Sequence, residues 1–233
     1  MSIKILGVSG SPRKAATEYA VSEALKAAAE FGGVETELIS LRGKTIHFCI
    51  HCNRCIRENV SYCPQFDDDM TAFYPKFIEA QGIILGSPVY QMATTAQLMA
   101  FMNRLRPLGK MVLTGESSTK VGGAIAVGGT RHGGQETTLD VINNMFFSTG
   151  MIVVSGGIFA YNGGSVWSNG KKEDGAKEDE TGMETVRFLG RRVAVVTKLI
   201  AEGMKTAALE GCNYAGFLSQ AELDNRIARF KTE

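Results

Sequence analysis

The sequence predicts an α/β fold, a doubly wound parallel sheet of five strands, and three observations carry that reading. Short apolar runs alternate with segments of helical periodicity along most of the 233 residues. Glycine is enriched, 27 of 233 residues against an average of roughly 7%, and much of the excess falls at the ends of predicted strands. The first strand is a mostly apolar run whereas the second carries glutamates in alternation, which makes one central and the other an edge. That assignment selects the strand order 2-1-3-4-5. The chain reads as a single domain over 1–233, with an insertion at 43–68 and a helical extension at 183–233.

The first strand, Ile3–Ser9, is a short apolar run ending in a glycine–serine turn, as a buried central strand requires. Thr17 stands where it would N-cap the next helix, whose apolar positions are Ala20, Val21, Ala24, Leu25 and Ala28. Strand two, Val34–Ser40, alternates Val34, Thr36 and Leu38 with Glu35 and Glu37. A long cysteine-bearing insertion follows, from Gly43 to Asp68. Helix Asp69–Ala80 leads to strand three, Ile83–Gly86, and helix Thr94–Leu105 to strand four, Val121–Val127. Helix Gln135–Phe147 leads to strand five, Met151–Val154. Tyr161–Thr181 is glycine-rich and charged and reads as a mobile loop. The long helix Met183–Met204 turns Val186, Leu189, Val193, Val196 and Ile200 toward the core. A last short helix, Gln220–Phe230, puts Leu223, Ile227 and Phe230 on one side.

In such a sheet a ligand binds beyond the carboxyl ends of the strands, near the switch point between strands one and three. Three segments end strands there. V-S-G-S-P-R-K-A-A-T combines the hydroxyls of Ser9, Ser11 and Thr17, the Arg13 charge and backbone N–H groups at a helix start, with no carboxylate before Glu18. Oriented donors at a positive helix end make a phosphate site. Neither G-x4-G-K-[ST] nor G-x-G-x-x-G is present, so neither a Walker loop nor a dinucleotide fold is expected. G-S-P-V-Y-Q-M, Gly86 to Met92, offers an extended backbone wall to a planar heterocycle. V-G-G-T-R-H-G-G-Q, Val127 to Gln135, lets a ring system approach the main chain closely.

The insertion holds Cys49, Cys52, Cys55 and Cys63 in the spacing C-x2-C-x2-C-x7-C, with Pro64 after the last cysteine. Two x2 gaps turn three thiolates inward and the x7 arm brings back a fourth, which suits a cubane iron–sulfur cluster. Structural zinc sites more often pair C-x2-C units across a long gap, and a redox dithiol is a further alternative. Nothing at the N-terminus reads as a secretory signal, so a disulfide framework is not expected.

V-S-G-S-P-R, G-S-P-V-Y with downstream A-Q-L-M-A-F-M-N-R, and G-G-T-R-H-G-G-Q-E together resemble the NADPH-dependent FMN reductase family, whose fold is flavodoxin-like. With the cysteine insertion added, the chain resembles the iron–sulfur flavoproteins of that family over Ile3 to Phe147. The resemblance implies FMN phosphate at Ser9, Ser11, Pro12, Arg13, Ala16, Thr17 and Glu18. It implies the isoalloxazine against Ser87, Pro88, Val89, Tyr90, Gln91 and Met92, with Gly128, Gly129, Thr130, Gly133 and Gly134 closing the other side. Relatives often carry an asparagine before the phosphate-loop threonine, where this chain has Ala15-Ala16. The resemblance further implies a [4Fe–4S] cluster on the four cysteines and a homo-oligomer, either dimer or tetramer. A flavin beside a one-electron cluster is expected to make an electron-transfer flavoprotein that exchanges electrons with a small redox protein such as ferredoxin. The rival function is a cluster-free NAD(P)H-dependent FMN or quinone reductase with a zinc or dithiol site.

Composition excludes several other classes. A net charge of +1, from 25 basic and 24 acidic side chains, gives no case for nucleic acid or an anionic membrane. No apolar run is long enough for a membrane span, and the reduced cysteines point to the cytoplasm. A phospho-acceptor signalling domain would need acidic residues where Ser9 and Ser87 stand. His51 is expected to point outward rather than ligate, His132 to be an exposed loop residue, and Asp67-Asp68-Asp69 to cap a helix. Trp167 either covers the ring site or anchors its own loop, and Cys212 is expected to be a small core or helix-end residue.

Overall fold

The computed structural model describes residues 2–158 and 161–207, with 219, 221, 222, 224, 225, 228 and 229. Strands β1 (Ile3–Ser9), β2 (Val34–Ser40), β3 (Gly82–Pro88), β4 (Val121–Gly128) and β5 (Ile152–Val153) form a parallel sheet in the order β2-β1-β3-β4-β5. The expected fold class and strand order are observed. β1, β3 and β4 are buried almost throughout, as strands covered on both faces must be, and β2 is the exposed edge. Leu38 lies outward in β2 at 38% exposure, so the alternation there does not build a buried face.

Helices α1 (Ala16–Ala29) and α8 (Glu180–Thr206) cover one face, packing Ala20, Val21 and Ala24 with Val186, Leu189 and Val193 against Ile5, Ile84 and Ile125. Between them stands Gly190, where a Cβ would sit 2.0 Å from the Ala24 carbonyl oxygen, so only glycine lets the two backbones approach this closely. The other face is covered by α3 (Tyr74–Glu79), α4 (Ala96–Asn103) and α6 (Gln135–Ser148), through Tyr74, Phe77, Leu98, Phe101, Ile142 and Phe146. Shorter helices, α2 (Arg54–Arg57) in the insertion, α5 (Gly109–Leu113) and α7 (Lys172–Glu178), complete the described elements, with 3₁₀ turns at Asp69–Ala72, Arg106–Leu108 and Glu116–Thr119. No helix among the described residues is long and apolar enough to cross a membrane.

Four expectations are corrected. Thr17 does not cap α1: it lies buried inside the first turn, and Ala15 occupies the N-cap without a side-chain hydrogen bond. The helix expected over Asp69–Ala80 is broken into a 3₁₀ turn and α3, because Pro75 has no N–H to continue a helix and instead starts one. Strand five is only Ile152–Val153 and flanks only the first part of β4. The loop expected over Tyr161–Thr181 contains β6 (Gly164–Trp167), which flanks the rest of β4 in the register Ile125↔Gly164 to Gly128↔Trp167. On its outer side β6 gives its N–H groups to side chains, Ser165 N to Thr185 Oγ1 (3.1 Å) and Trp167 N to Asp179 Oδ2 (2.7 Å). An edge capped in this way is closed to further strands. The helix expected at Gln220–Phe230 and Cys212 lie outside the described residues, apart from single positions.

Candidate functional site

Three loops meet at the carboxyl edge of the sheet. The first leaves β1 at Ser9, which is fully buried and whose Oγ has no hydrogen-bond partner. Ser11 folds the loop back on itself, its Oγ donating to the Arg13 carbonyl (2.8 Å) and accepting from the Arg13 N–H (3.1 Å). Pro12 and Arg13 are exposed, Ala16 and Thr17 are buried, and α1 begins without a side-chain cap. Its first-turn N–H groups are therefore available to an anion. The Glu18 carboxylate is turned aside to accept from Ser40 Oγ (2.6 Å), 3.9 Å from Arg42.

The second loop leaves β3 through Ser87 and Pro88, both buried. Ser87 Oγ donates to the Pro88 carbonyl and accepts from Thr95 N, while Thr95 Oγ1 donates to the Gly10 carbonyl (2.7 Å) and accepts from Leu98 N. Thr95 thus caps α4 and ties the first two loops together. Tyr90 and Ala93 exchange both backbone hydrogen bonds, and Gln91 and Met92 between them hold φ of 53° and 59°. Two adjacent side-chain-bearing residues in the left-handed region make a strained turn. It is braced by Thr137 Oγ1, which donates to the Met92 carbonyl (2.8 Å). Val89 N donates to the Val127 carbonyl, joining the second loop to the third.

The third loop, Gly128 to Gly134, is fastened from both sides. Buried Gln135 donates to the Thr130 carbonyl (2.7 Å) and accepts from Gly133 N (2.9 Å). A Cβ at Gly128 would lie 2.2 Å from Gln135 Nε2, so the staple requires glycine there. From β6 Trp167 Nε1 donates to the Gly129 carbonyl (3.1 Å), Ser168 N donates to the Gly128 carbonyl (2.8 Å), and Arg131 stacks 4.2 Å over the indole. His132 is exposed, as expected. Trp167 lies in β6 rather than in a loop of its own, and its indole fastens the third loop.

The cysteine insertion hangs beside these loops, and α4 holds it. Gln97 Nε2 donates to the Leu41 carbonyl (2.6 Å). Arg104, one turn past the end of α4's apolar face, pairs with Asp68 through both terminal nitrogens (2.7 and 3.0 Å), with side chains 1% and 0% exposed. Arg104 also donates to the His47 carbonyl (2.9 Å) and stacks on Phe66, which stacks in turn on His47. Burial works to raise the Asp68 carboxyl, but Arg104 and the His47 and Met70 N–H groups outweigh it and hold it below the ordinary carboxylate range. Asp68 caps the 3₁₀ turn at Met70 and Asp69 accepts from Thr45 N and Lys44, so the aspartate run is structural, as expected.

Cys49, Cys52, Cys55 and Cys63 are free thiols that line one cavity with Ile50, Asn53, Gln65, Phe66, Pro107, Arg104 and Arg106. The peptide winds round it through left-handed residues at His51 and Asn53, and His51 N donates to Cys49 Sγ (3.4 Å). Burial pushes the Cys55 thiol up, and the Arg106 charge opposes that rise. Among the described residues no three histidine, cysteine or acidic side chains gather as a single metal ion requires. Sequence reasoning gave no site role to Thr95, Gln135, Asp68, Arg104 or Arg106. Gln135 and Arg104 close two of the quoted motifs and Asp68 lies in the aspartate run, whereas Thr95 and Arg106 lie in none of them.

The residues fit the groups expected of them. A buried, unpartnered Ser9 hydroxyl and an uncapped helix start suit a phosphate, and four thiols on a cavity without carboxylates suit an iron–sulfur centre. Residues 3–165 match the family model for NADPH-dependent FMN reductase. An iron-sulfur flavoprotein of Methanocaldococcus jannaschii is 47% identical, covering 85% of this chain and 99% of its own. One from Methanosarcina thermophila is 37% identical, covering 85% and 97%. The solved structure of a flavodoxin, WrbA-like protein from Agrobacterium tumefaciens superposes with a TM-score of 0.57 at 18% identity, over 85% of this chain and 98% of that one, which speaks to the fold alone. By the family match and these identities, the chain belongs to the iron–sulfur flavoproteins of the NADPH-dependent FMN reductase family and is a flavin-containing oxidoreductase.

Proposed function

We propose that the protein is an electron-transfer flavoprotein that holds FMN in the three strand-end loops and a [4Fe–4S] cluster on Cys49, Cys52, Cys55 and Cys63. It would link a one-electron carrier such as a ferredoxin to a two-electron acceptor. FMN supplies one- and two-electron chemistry and the cluster one-electron chemistry. The observation that carries the reading is the position of α4, whose N-terminal cap joins the phosphate loop to one ring-site loop and whose C-terminal end fixes the cysteine insertion. In this assignment the first loop holds the phosphate through Ser9, Ser11 and the N–H groups of Ala16, Thr17 and Glu18, with Arg13 adding charge. Pro88 to Met92 and Gly128 to Gly134 grip the ring by main-chain groups.

FMN rather than FAD is assigned, because the nest at α1 suits a terminal monophosphate. No side chain is assigned an acid–base role. Phe48 and Ile50, exposed at 68% and 51% in the insertion, support docking of a redox partner or a second copy of the chain at that face. Anaerobic purification followed by flavin, iron and acid-labile sulfide analysis tests the assignment. About four irons and four sulfides per FMN are expected. Flavin without sulfide would overturn the cluster and leave a cluster-free NAD(P)H-dependent FMN or quinone reductase.

A further inference from the structure

The wall of the cysteine cavity carries two charged side chains, Arg104 and Arg106, and no carboxylate. Their circumstances differ. Arg104 is neutralised by its two-pronged pair with Asp68. Arg106 reaches only a neutral group, donating through a terminal nitrogen to Asn53 Oδ1, and among the described residues it forms no ion pair. Asn53 lies between Cys52 and Cys55, so this contact brings the guanidinium onto the peptide that presents two of the thiols. The Nε–H of each arginine is buried without an acceptor. A buried donor on a charged group is costly to leave unpaired, and the cavity that Arg106 lines is lined also by the four thiols and by the Asn53 and Gln65 amides.

We propose that Arg106 is the potential-setting cation of the cysteine site, offering the cluster an uncompensated positive charge and a charge-assisted Nε–H hydrogen bond to sulfur. Arg104, its charge compensated by Asp68, is the fixed member of the pair and acts by positioning. This rests on the cluster assignment above. Adding one electron makes the cluster one unit more negative with no bond made or broken, and a nearby cation in a low-dielectric wall stabilises that state. Hydrogen bonds to the sulfurs and local charge are the levers by which a protein sets such a potential. Arg106 therefore makes the cluster easier to reduce.

The test is a dye-mediated reductive titration of the holoprotein followed by electron paramagnetic resonance, with iron, sulfide and flavin measured on each sample. In Arg106→Leu the ratio of reduced to oxidised cluster at a fixed poise should fall about tenfold, a negative shift of ~59 mV for a one-electron couple. Arg106→Lys, which keeps the charge, should recover most of that shift, and the flavin content should be unchanged in both. A full cluster with an unshifted midpoint in Arg106→Leu overturns the proposal. If Arg106→Leu loses its cluster, retention in Arg106→Lys supports a charge role, whereas loss in both makes the contact with Asn53 purely structural and overturns it. A wild-type protein without sulfide overturns the cluster assignment itself, and this inference with it.

Discussion

Arg13 projects from the first loop with its side chain exposed, while its own N–H and carbonyl are both taken by Ser11. Its backbone is thus fixed and only its charge is free to act on a phosphate. Arg13→Glu should weaken FMN binding at least about tenfold by placing a carboxylate beside the phosphate. Flavin retained in full after gel filtration of the variant would refute that placement. The thiols make an independent residue-level case, since all four belong to an insertion outside the sheet. Cys52→Ala should keep FMN and fold while losing the iron–sulfur absorbance and most of its electron exchange with a one-electron protein carrier. Stopped-flow exchange rates per bound flavin check this, and an unchanged rate would mean that the electrons bypass the cysteines. These residues were legible because spacing and loop chemistry lie within a few neighbours of one another. Asp68 and Arg104 were not legible as a pair, because only the fold brings them together across 36 positions.

At the scale of elements, α4 is a strut between two sites. Its grip on the insertion passes through the Asp68–Arg104 pair, and removing one partner of such a buried pair leaves the other charge without compensation. Asp68→Ala should therefore destabilise the fold by about 3–5 kcal/mol and lower the iron content more than the flavin content. Urea unfolding with metal and flavin analysis distinguishes this from a general loss of structure, in which both contents would fall together. The strands and principal helices of the sheet were legible from apolar runs and periodicity. β6 was not, since Gly-Ser-Val-Trp is too short for a period to register and its flanks are glycine-rich. Its identity comes from what it pairs with, the free flank of β4 beyond β5. The break at Pro75 was a local signal available in the sequence and outweighed there by the apolar pattern around it.

For the whole molecule, the pH dependence of stability has two identifiable limbs. Lys120, 6% exposed at the foot of β4, donates to the carbonyls of Ile78 and Ala80, and burial lowers its pKa from 10.5 to about 8. The unfolded chain holds this proton between pH 8 and 10.5 and the folded chain does not, so stability from this group rises with pH across that window. The rise amounts to about 3 kcal/mol, and it should vanish in Lys120→Met when urea midpoints are compared across the window. On the acid side, the lowered Asp68 carboxyl contributes stability that is present above its ordinary range and lost as pH falls through its folded value. The late arrival of β6 in the chain also orders events in time. As the polypeptide leaves the ribosome, β1 to β4 and the four thiols emerge before the segment that fastens Gly128 and Gly129. Until Trp167 and Ser168 follow, the third loop lacks the bonds they make to the Gly128 and Gly129 carbonyls. A growing chain therefore exposes its thiols to the cell well before the third of its strand-end loops is fastened.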